Sequence, residues 1–169
     1  MRIVVSDSSC LIDLHKASLI GALLKLPYEI LIPDTLFEEE LLSFTDAQKR
    51  ALVRSGLKVM ELPGDGVLRA QEVARAFPAI SIHDGFAFAL AERNPGCILL
   101  TGDGRLRTLA IEHDIEVHGV LWVIDELHHR RIVSAKALHA ALMRFSNDAT
   151  VRLPSHELTA YIRRYGSLL

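Results

Sequence analysis

Short apolar segments alternate with amphipathic ones along the first two thirds of the chain. The apolar segments are three or four residues long and lie at residues 3–5, 30–32, 59–62, 98–100 and 116–118. Continuous or nearly continuous apolar segments of this length are typical of strands that a parallel sheet buries on both faces. The segments between them have helical periodicity and lie at residues 11–25, 35–44, 46–55, 66–77, 82–93 and 104–113. Strand–helix alternation favours right-handed parallel crossovers. The sequence therefore predicts an α/β fold, a three-layer α/β/α sandwich around a central parallel sheet of about five strands.

The last third of the chain has a different pattern. Helical segments at 119–131, 135–145 and 156–165 follow one another without a further strand. Leu138, Leu142 and Phe145 recur at helical spacing, so this region has an apolar face to bury. We divide the chain into an α/β domain at residues 1–120 and a helical C-terminal extension at 121–169, packed on the same domain. Three uses of the apolar face stay open: covering the sheet, forming a dimer surface or receiving a partner.

Composition sets the broad class of the protein. The chain has 169 residues, half of them hydrophobic, which suits one domain with a single core. A net charge of −2 gives no support to nucleic-acid binding, so any such surface must concentrate basic residues locally. Cys10 and Cys97 are predicted to be buried thiols rather than a disulfide. No apolar run approaches the ~20 residues that cross a bilayer. We expect a cytoplasmic protein with no membrane contact.

Four acidic residues stand where strands give way to helices. Asp7 and Asp103 directly follow predicted strands, Glu40 lies on the helix after the second strand, and Asp84 opens the helix at 82–93. Ligands of open α/β sheets bind beyond the carboxyl ends of the strands. Carboxylates gathered there would repel one another, and a divalent cation relieves that repulsion. Oxygen ligands of this kind suit Mg²⁺ or Mn²⁺.

Each acid also has an ordinary structural explanation. Asp7 and Asp103 could cap the helices that follow them, and Asp84 stands three residues after Ser81, as the acid of a capping box would. The position of Asp84 on its helix argues against a role in capping alone. Asp84 shares a face with Phe88 that should lie against the sheet, where an unpaired carboxylate is costly.

The four segments that carry these acids resemble the PIN-domain nucleases, and most of all the VapC-type bacterial toxins. The resemblance covers residues 1–120. The matching segments are Asp7-Ser8-Ser9-Cys10-Leu11-Ile12, Ile32-Pro33-Asp34-Thr35-Leu36-Phe37-Glu38-Glu39-Glu40-Leu41, Asp84-Gly85-Phe86-Ala87-Phe88-Ala89-Leu90-Ala91 and Leu99-Leu100-Thr101-Gly102-Asp103-Gly104-Arg105-Leu106.

The resemblance implies a metal-dependent endoribonuclease that hydrolyses phosphodiester bonds in RNA as the toxin of a toxin–antitoxin pair. Asp7, Glu40, Asp84 and Asp103 would be the catalytic and metal-binding residues, with Mg²⁺ or Mn²⁺ as cofactor. The implied partners are an RNA substrate, a protein antitoxin and a second copy of the chain in a homodimer. Asp7 and Asp103 are the expected direct ligands, whereas Glu40 and Asp84 would hold water molecules of the ion.

The identity of the active glutamate and the roles of two nearby hydroxyl residues each have two possible assignments. Counting from the proline favours Glu39, but the apolar residues around the helix favour Glu40, which we choose. Ser9 and Thr101 could orient the carboxylates or serve only as helix-cap hydroxyls. Arg107 and its neighbour stand where many family members carry a further acid, which leaves one or two metal ions open.

Substrate contacts would need basic residues near the acids. Lys16, Arg105 and Arg107 lie on segments leaving the predicted site and could contact phosphate, although solvated surface charge is the commoner role. The cluster at residues 128–131 fits a helix C-terminus, where basic residues complement the dipole.

The main rival is a signalling or non-catalytic magnesium-binding α/β domain. A receiver-like domain would gather acids at the same edge, with Asp65 as a possible acceptor. It would also require a lysine after the fifth strand, where residues 117–120 offer none. A non-catalytic interaction module remains open because fold does not fix function.

Overall fold

Five parallel strands form one central sheet in the order β3-β2-β1-β4-β5 in a computed structural model that describes all residues, 1–169. The strands are β1 (Arg2–Ser6), β2 (Tyr28–Pro33), β3 (Lys58–Met60), β4 (Ile98–Leu100) and β5 (Glu116–His118). All neighbouring strands are parallel. The predicted α/β class and the five-stranded parallel sheet are confirmed.

The strand order reverses beside β1, which is the structural fact that locates the site. From β1 the chain moves outward to β2 and β3, then returns to place β4 on the other side of β1. Val4 is therefore in register with both Ile30 of β2 and Ile98 of β4. The reversal leaves a crevice at the carboxyl ends of β1 and β4, where ligands bind in folds of this type.

Ten helices connect and cover the strands. They are α1 (Ser8–Lys16), α2 (Ile20–Leu23), α3 (Asp34–Glu39), α4 (Asp46–Arg54), α5 (Gly64–Ala76), α6 (Ile82–Glu92), α7 (Gly104–Glu112), α8 (Val120–His129), α9 (Ala135–Asn147) and α10 (Ser155–Gly166). Helices α1, α2 and α8 contact one another, and α6 contacts both α5 and α7. No helix has both the length and the apolar character that crossing a membrane demands.

Two predicted helices differ from the structure. The segment at 11–25 is divided into α1 and α2 because Ser18 adopts a left-handed conformation, with φ 57°, which interrupts the helix. The segment at 35–44 is helical only to Glu39. Leu41 and Phe44 are nevertheless buried, and the Phe44 ring stacks on His15 at 4.2 Å between centroids. Their spacing suggested a helix, but burial from a turn satisfies the same apolar pattern.

The C-terminal helices bury their apolar face within the chain. Leu138, Leu142 and Phe145 of α9 are all buried and belong to the same hydrophobic cluster as the sheet. Helix α9 contacts α8 and α10. Tyr161 and Tyr165 of α10 both donate hydrogen bonds of 2.7 Å to Asp125 of α8. The apolar face of α9 is therefore covered within the chain, where α9 packs against α8 and α10.

Helices α5 and α6 approach each other closely at Gly85, next to the predicted site residue Asp84. A Cβ at position 85 would stand 2.7 Å from the backbone oxygen of Ala70. Contact with backbone cannot be relieved by rotating a side chain. Glycine is therefore required at position 85 for the helix contact that positions the first turn of α6.

Gly85→Ala should destabilise the protein by about 1–3 kcal/mol, because the clash outweighs the gain in helix propensity of about 1 kcal/mol. Gly21→Ala in α2 is the matched control, since nothing lies within 4 Å of the added Cβ. The control should be neutral or stabilising. Urea denaturation of both variants measures the difference, and equal stability of the two would contradict the packing account.

Candidate active site

Asp7 lies at the carboxyl end of β1 and is almost completely buried, at 3% exposure. Its backbone N–H donates to the Leu100 oxygen at 3.0 Å, which extends the β1–β4 pairing to the site. The side-chain Oδ1 accepts a hydrogen bond of 2.9 Å from the Cys10 N–H and so caps α1. Oδ2 accepts from Thr101 at 2.6 Å and from Ser9 at 3.1 Å. The Asp7 carboxylate therefore caps α1 with one oxygen and is oriented by two hydroxyls through the other.

Burial raises the pKa of Asp7 above its ordinary value, because removal from water disfavours the charged form. The hydrogen bonds from Thr101, Cys10 and Ser9 act in the opposite direction, since they stabilise the carboxylate. A bound cation would add the favourable charge interaction that these neutral donors supply only in part.

Asp103 follows β4, the strand next to β1, and is the N-cap residue of α7. One oxygen, Oδ1, accepts hydrogen bonds of 2.9 Å from the N–H groups of Arg105 and Leu106 at the start of α7. The Asp103 N–H donates to Thr101 Oγ1 at 3.1 Å. Thr101 thus links the two aspartates. The second oxygen of Asp103 receives no hydrogen bond from the protein and is free to bind a ligand.

Asp84 lies in the first turn of α6, which Ser81 caps through a 3.1 Å hydrogen bond to the Asp84 N–H. Burial, and after it the negative charges of Asp7, Asp103 and Glu40, together raise the pKa of Asp84 to about 6. The other three predicted acids therefore lie near enough to Asp84 for their charges to act on it. The repulsion is the electrostatic signature of a cation site.

Glu40 and Glu39 face different surroundings. Glu40 Oε1 accepts a hydrogen bond of 2.6 Å from Ser8, the residue next to Asp7. Glu39 is 61% exposed at its side chain and contacts His83 Nε2 at 2.7 Å. Glu40 is only 34% exposed and lies 3.6 Å from His83 Nδ1. Of the two glutamates, Glu40 is the one turned toward the other acids.

The donor set fits a hard divalent cation, although it is not a closed cage. No three His, Cys, Asp or Glu side chains surround one point as a preformed metal site would. Mg²⁺ is commonly held by one or two carboxylates and keeps several waters, so an open cluster of carboxylates suits it. The free oxygen of Asp103 and the repulsion at Asp84 both fit such an ion. Asp7, Glu40, Asp84 and Asp103 are the residues that could hold it.

Sequence reasoning missed two contributions to this edge. Ser8 positions Glu40, and Arg152, from the segment between α9 and α10, lines a cavity beside Ser9 and Asp103. The position of Ser8 directly after Asp7 is a weak sequence signal for this contribution. Nothing in the sequence connects Arg152 with Asp103, because their placement at one cavity depends on how the C-terminal helices pack.

The basic candidates are separated by the fold. Arg107 lines a small cavity together with Thr101 and Gly119, next to the acids. Arg105 lines a different groove, formed by α7 and residues 76–80. Lys16, at the end of α1, donates a hydrogen bond of 2.6 Å to Thr150. Of these three residues, only Arg107 lines a cavity that also includes Thr101, the residue that directly follows β4.

The receiver-like alternative does not fit this sheet. Receiver domains have the strand order 2-1-3-4-5, which places the third strand beside the first. Here β3 is an edge strand, two positions from β1. Asp65, the possible acceptor, is on α5 and pairs with Arg93 at 2.9 Å. It therefore belongs to a surface ion pair away from the strand ends that gather the acids.

Comparison with known proteins agrees with the geometry. A family model described as "DUF3368: PIN domain" matches residues 3–167. No curated protein matches the chain. The family match continues through α8, α9 and α10, beyond the residues 1–120 whose motifs carry the resemblance. With nearly its whole length matched by that model, the chain belongs to the PIN-domain family DUF3368.

Proposed function

We propose that the protein is an Mg²⁺- or Mn²⁺-dependent endoribonuclease that hydrolyses phosphodiester bonds in RNA. One observation carries the proposal. Asp84 is partly buried near Asp7, Asp103 and Glu40, and burial together with their negative charges raises its pKa to about 6. A fold that crowds acids in this way sacrifices stability unless a cation is bound there. Membership of the PIN-domain family, to which nuclease activity is generally ascribed, supports the same conclusion.

The protein's residues have distinct tasks in this mechanism. Thr101 and Ser9 hold the Asp7 carboxylate in one orientation, and the α7 N-terminus fixes Asp103 through Oδ1. Ser8 holds Glu40 at the same edge. A divalent cation, when bound by the acids, would neutralise charge on the phosphate and acidify the attacking water. Fixed carboxylates require no rearrangement when the cation and the phosphate arrive.

The finer assignment is a toxin of the VapC type with a protein antitoxin. Its support is the order and spacing of the four motifs, which resemble those of the VapC-type toxins. We also propose a homodimer, for which the buried face of α9 gives no support, so a different surface would be used. Cys10 and Cys97 are free and buried, which suits a reducing cytoplasmic setting.

Asp7→Asn should lower RNA cleavage by on the order of 10³-fold or more, since loss of a charged ligand removes several kcal/mol of stabilisation at the metal site. The fold should remain, because asparagine also caps helices and the two hydroxyls can reorient. Cleavage of mixed RNA and DNA substrates with Mn²⁺, with and without chelator, measures the effect. Wild-type activity of the variant, or activity insensitive to chelator, would refute the proposed function.

A matched pair of variants separates the two glutamates. Glu40→Gln should lower the cleavage rate by about 10²-fold or more, because Glu40 lies with the other acids. Glu39→Gln should change it by no more than about threefold, since removing a largely exposed ion pair costs less than about 1 kcal/mol. Initial rates under the same metal conditions provide the comparison. The reverse order of effects would assign the catalytic role to Glu39.

Metal-free protein should lose stability as the pH rises from about 4 to about 6. Asp84 binds its proton more tightly in the folded than in the unfolded state, so the folded state loses this advantage as the pH passes the raised pKa. Mn²⁺ should restore the melting temperature above pH 6. Asp84→Asn should flatten the pH dependence and reduce the metal effect.

Asp13→Asn is the control for this experiment. Burial raises the pKa of Asp13 to about 6 as well, but Asp13 is not among the proposed ligands. The control should also flatten the pH dependence and yet keep the stabilisation by Mn²⁺. Equal loss of the metal effect in both variants would show that Asp84 has no special part in binding the ion.

A further inference from the structure

We propose that a cavity beside the acids, formed partly by the C-terminal segment 148–153, binds a backbone phosphate of the RNA next to the cleaved bond, with Arg152 as its main cation. The inference rests on the proposed ribonuclease function and names the substrate-binding part of that site. The C-terminal segment is then part of the substrate site, in contrast to a purely packing role for residues 121–169.

The cavity lies directly next to the candidate metal ligands. It has a volume of about 230 Å³, and its wall includes Ser9, Asp103, Thr150 and Arg152. This volume is below the roughly 300–1,000 Å³ of ordinary small-molecule pockets, so it suits a small group such as a phosphate. A phosphate held there would be adjacent to one placed at Asp103.

The structure holds the C-terminal segment in place against α1. Thr150 donates to Asp148 through its backbone N–H at 2.9 Å, and its hydroxyl also bonds to Asp148. Lys16 Nζ of α1 donates to the Thr150 hydroxyl at 2.6 Å. Val151 is buried in the hydrophobic core, which anchors the residue before Arg152. The Arg152 backbone is thereby fixed at the cavity while its side chain remains exposed.

Arg152 is free to bind a ligand. Six cations form ion pairs with acids elsewhere in the structure, and Arg152 is not among them; they are Arg2, Lys58, Arg69, Arg93, Arg130 and Arg164. An unpaired guanidinium at the wall of a cavity suits bidentate binding of phosphate oxygens.

A second arginine without an ion pair, Arg107, lies beside this cavity and would extend the contact with a bound RNA strand. A neighbouring cavity of about 190 Å³ includes Arg107, and the two cavities share Gly102, Val120 and Leu153. Arg107 is also outside the six ion-paired cations. A single RNA strand that passes from Asp103 across Leu153 would meet Arg152 first and Arg107 next. Positively charged side chains along such a path track the backbone without reading its sequence.

Asp13 and Asp103 line the same first cavity and would repel a phosphate. Lys16, which lies near Asp13, offsets part of that charge. A cation at Asp103 would offset the rest. RNA binding in this cavity should therefore be stronger with Mg²⁺ than with chelator.

Arg152→Ala should weaken binding of a short fluorescein-labelled single-stranded RNA by about tenfold, the effect of removing one pair of charge-assisted hydrogen bonds. The slope of log K against log salt should fall by about 0.7, as expected when the protein neutralises one phosphate fewer on a single strand. Fluorescence anisotropy with Mg²⁺ in the slow-cleaving Glu40→Gln background measures both. Arg152→Lys should recover most of the salt slope, since it keeps the charge.

Arg144→Ala on α9 is the control, because Arg144 is exposed and lines neither cavity. It should bind RNA within about twofold of the parent, by the small effect of a distant surface charge. Equal binding by the Arg152→Ala and Arg144→Ala proteins, both with the parent's melting temperature, would overturn the inference. Cleavage by wild-type protein is scored separately, so failure of the ribonuclease proposal would be recognised independently of the binding result.

Discussion

The contact between Thr101 and Asp7 is the interaction on which the site depends. It joins the ends of β1 and β4, the two strands between which the strand order reverses, through a 2.6 Å hydrogen bond. A carboxylate this deeply buried is unfavourable unless donors surround it, and Thr101, Ser9 and the Cys10 N–H provide them. The sheet positions these donors because β1 and β4 pair in register up to the site. The Asp7 carboxylate therefore both joins the ends of two strands and belongs to the candidate metal site.

Helix capping and the proposed metal binding are compatible roles for Asp7 and Asp103. Asp7 and Asp103 each cap a helix with Oδ1, as ordinary N-cap residues do. The second oxygen of each carboxylate lies toward the strand ends, where Asp7 meets two hydroxyls and Asp103 meets no protein donor. Helix N-termini also favour negative charge nearby. Capping thus holds the acids rigidly, and rigidity is what a metal-binding carboxylate needs.

Much of the fold was predictable because its signals are local. The apolar strands and the acid after each central strand are visible within a few residues, so the sheet was predictable and the four acids could be identified as candidates from the sequence. The end of α3 did not, since Leu41 and Phe44 meet the same apolar requirement from a turn. The position of segment 148–153 beside the acids was also not predictable. Its contacts join residues more than a hundred positions apart, such as Lys16 with Thr150, and no local pattern reports them.

The Lys16–Thr150 contact has a consequence for how such proteins can diversify. The acids are encoded in the first hundred or so residues, whereas one wall of the adjoining cavity comes from a short connection between the last two helices. The exposed residues of that connection can change in charge without disturbing the sheet or the carboxylates, as long as Val151 keeps its place in the core. Under the proposed function, the residues for cleavage and a residue for RNA binding therefore lie in separate parts of the chain, and selection could alter one while conserving the other.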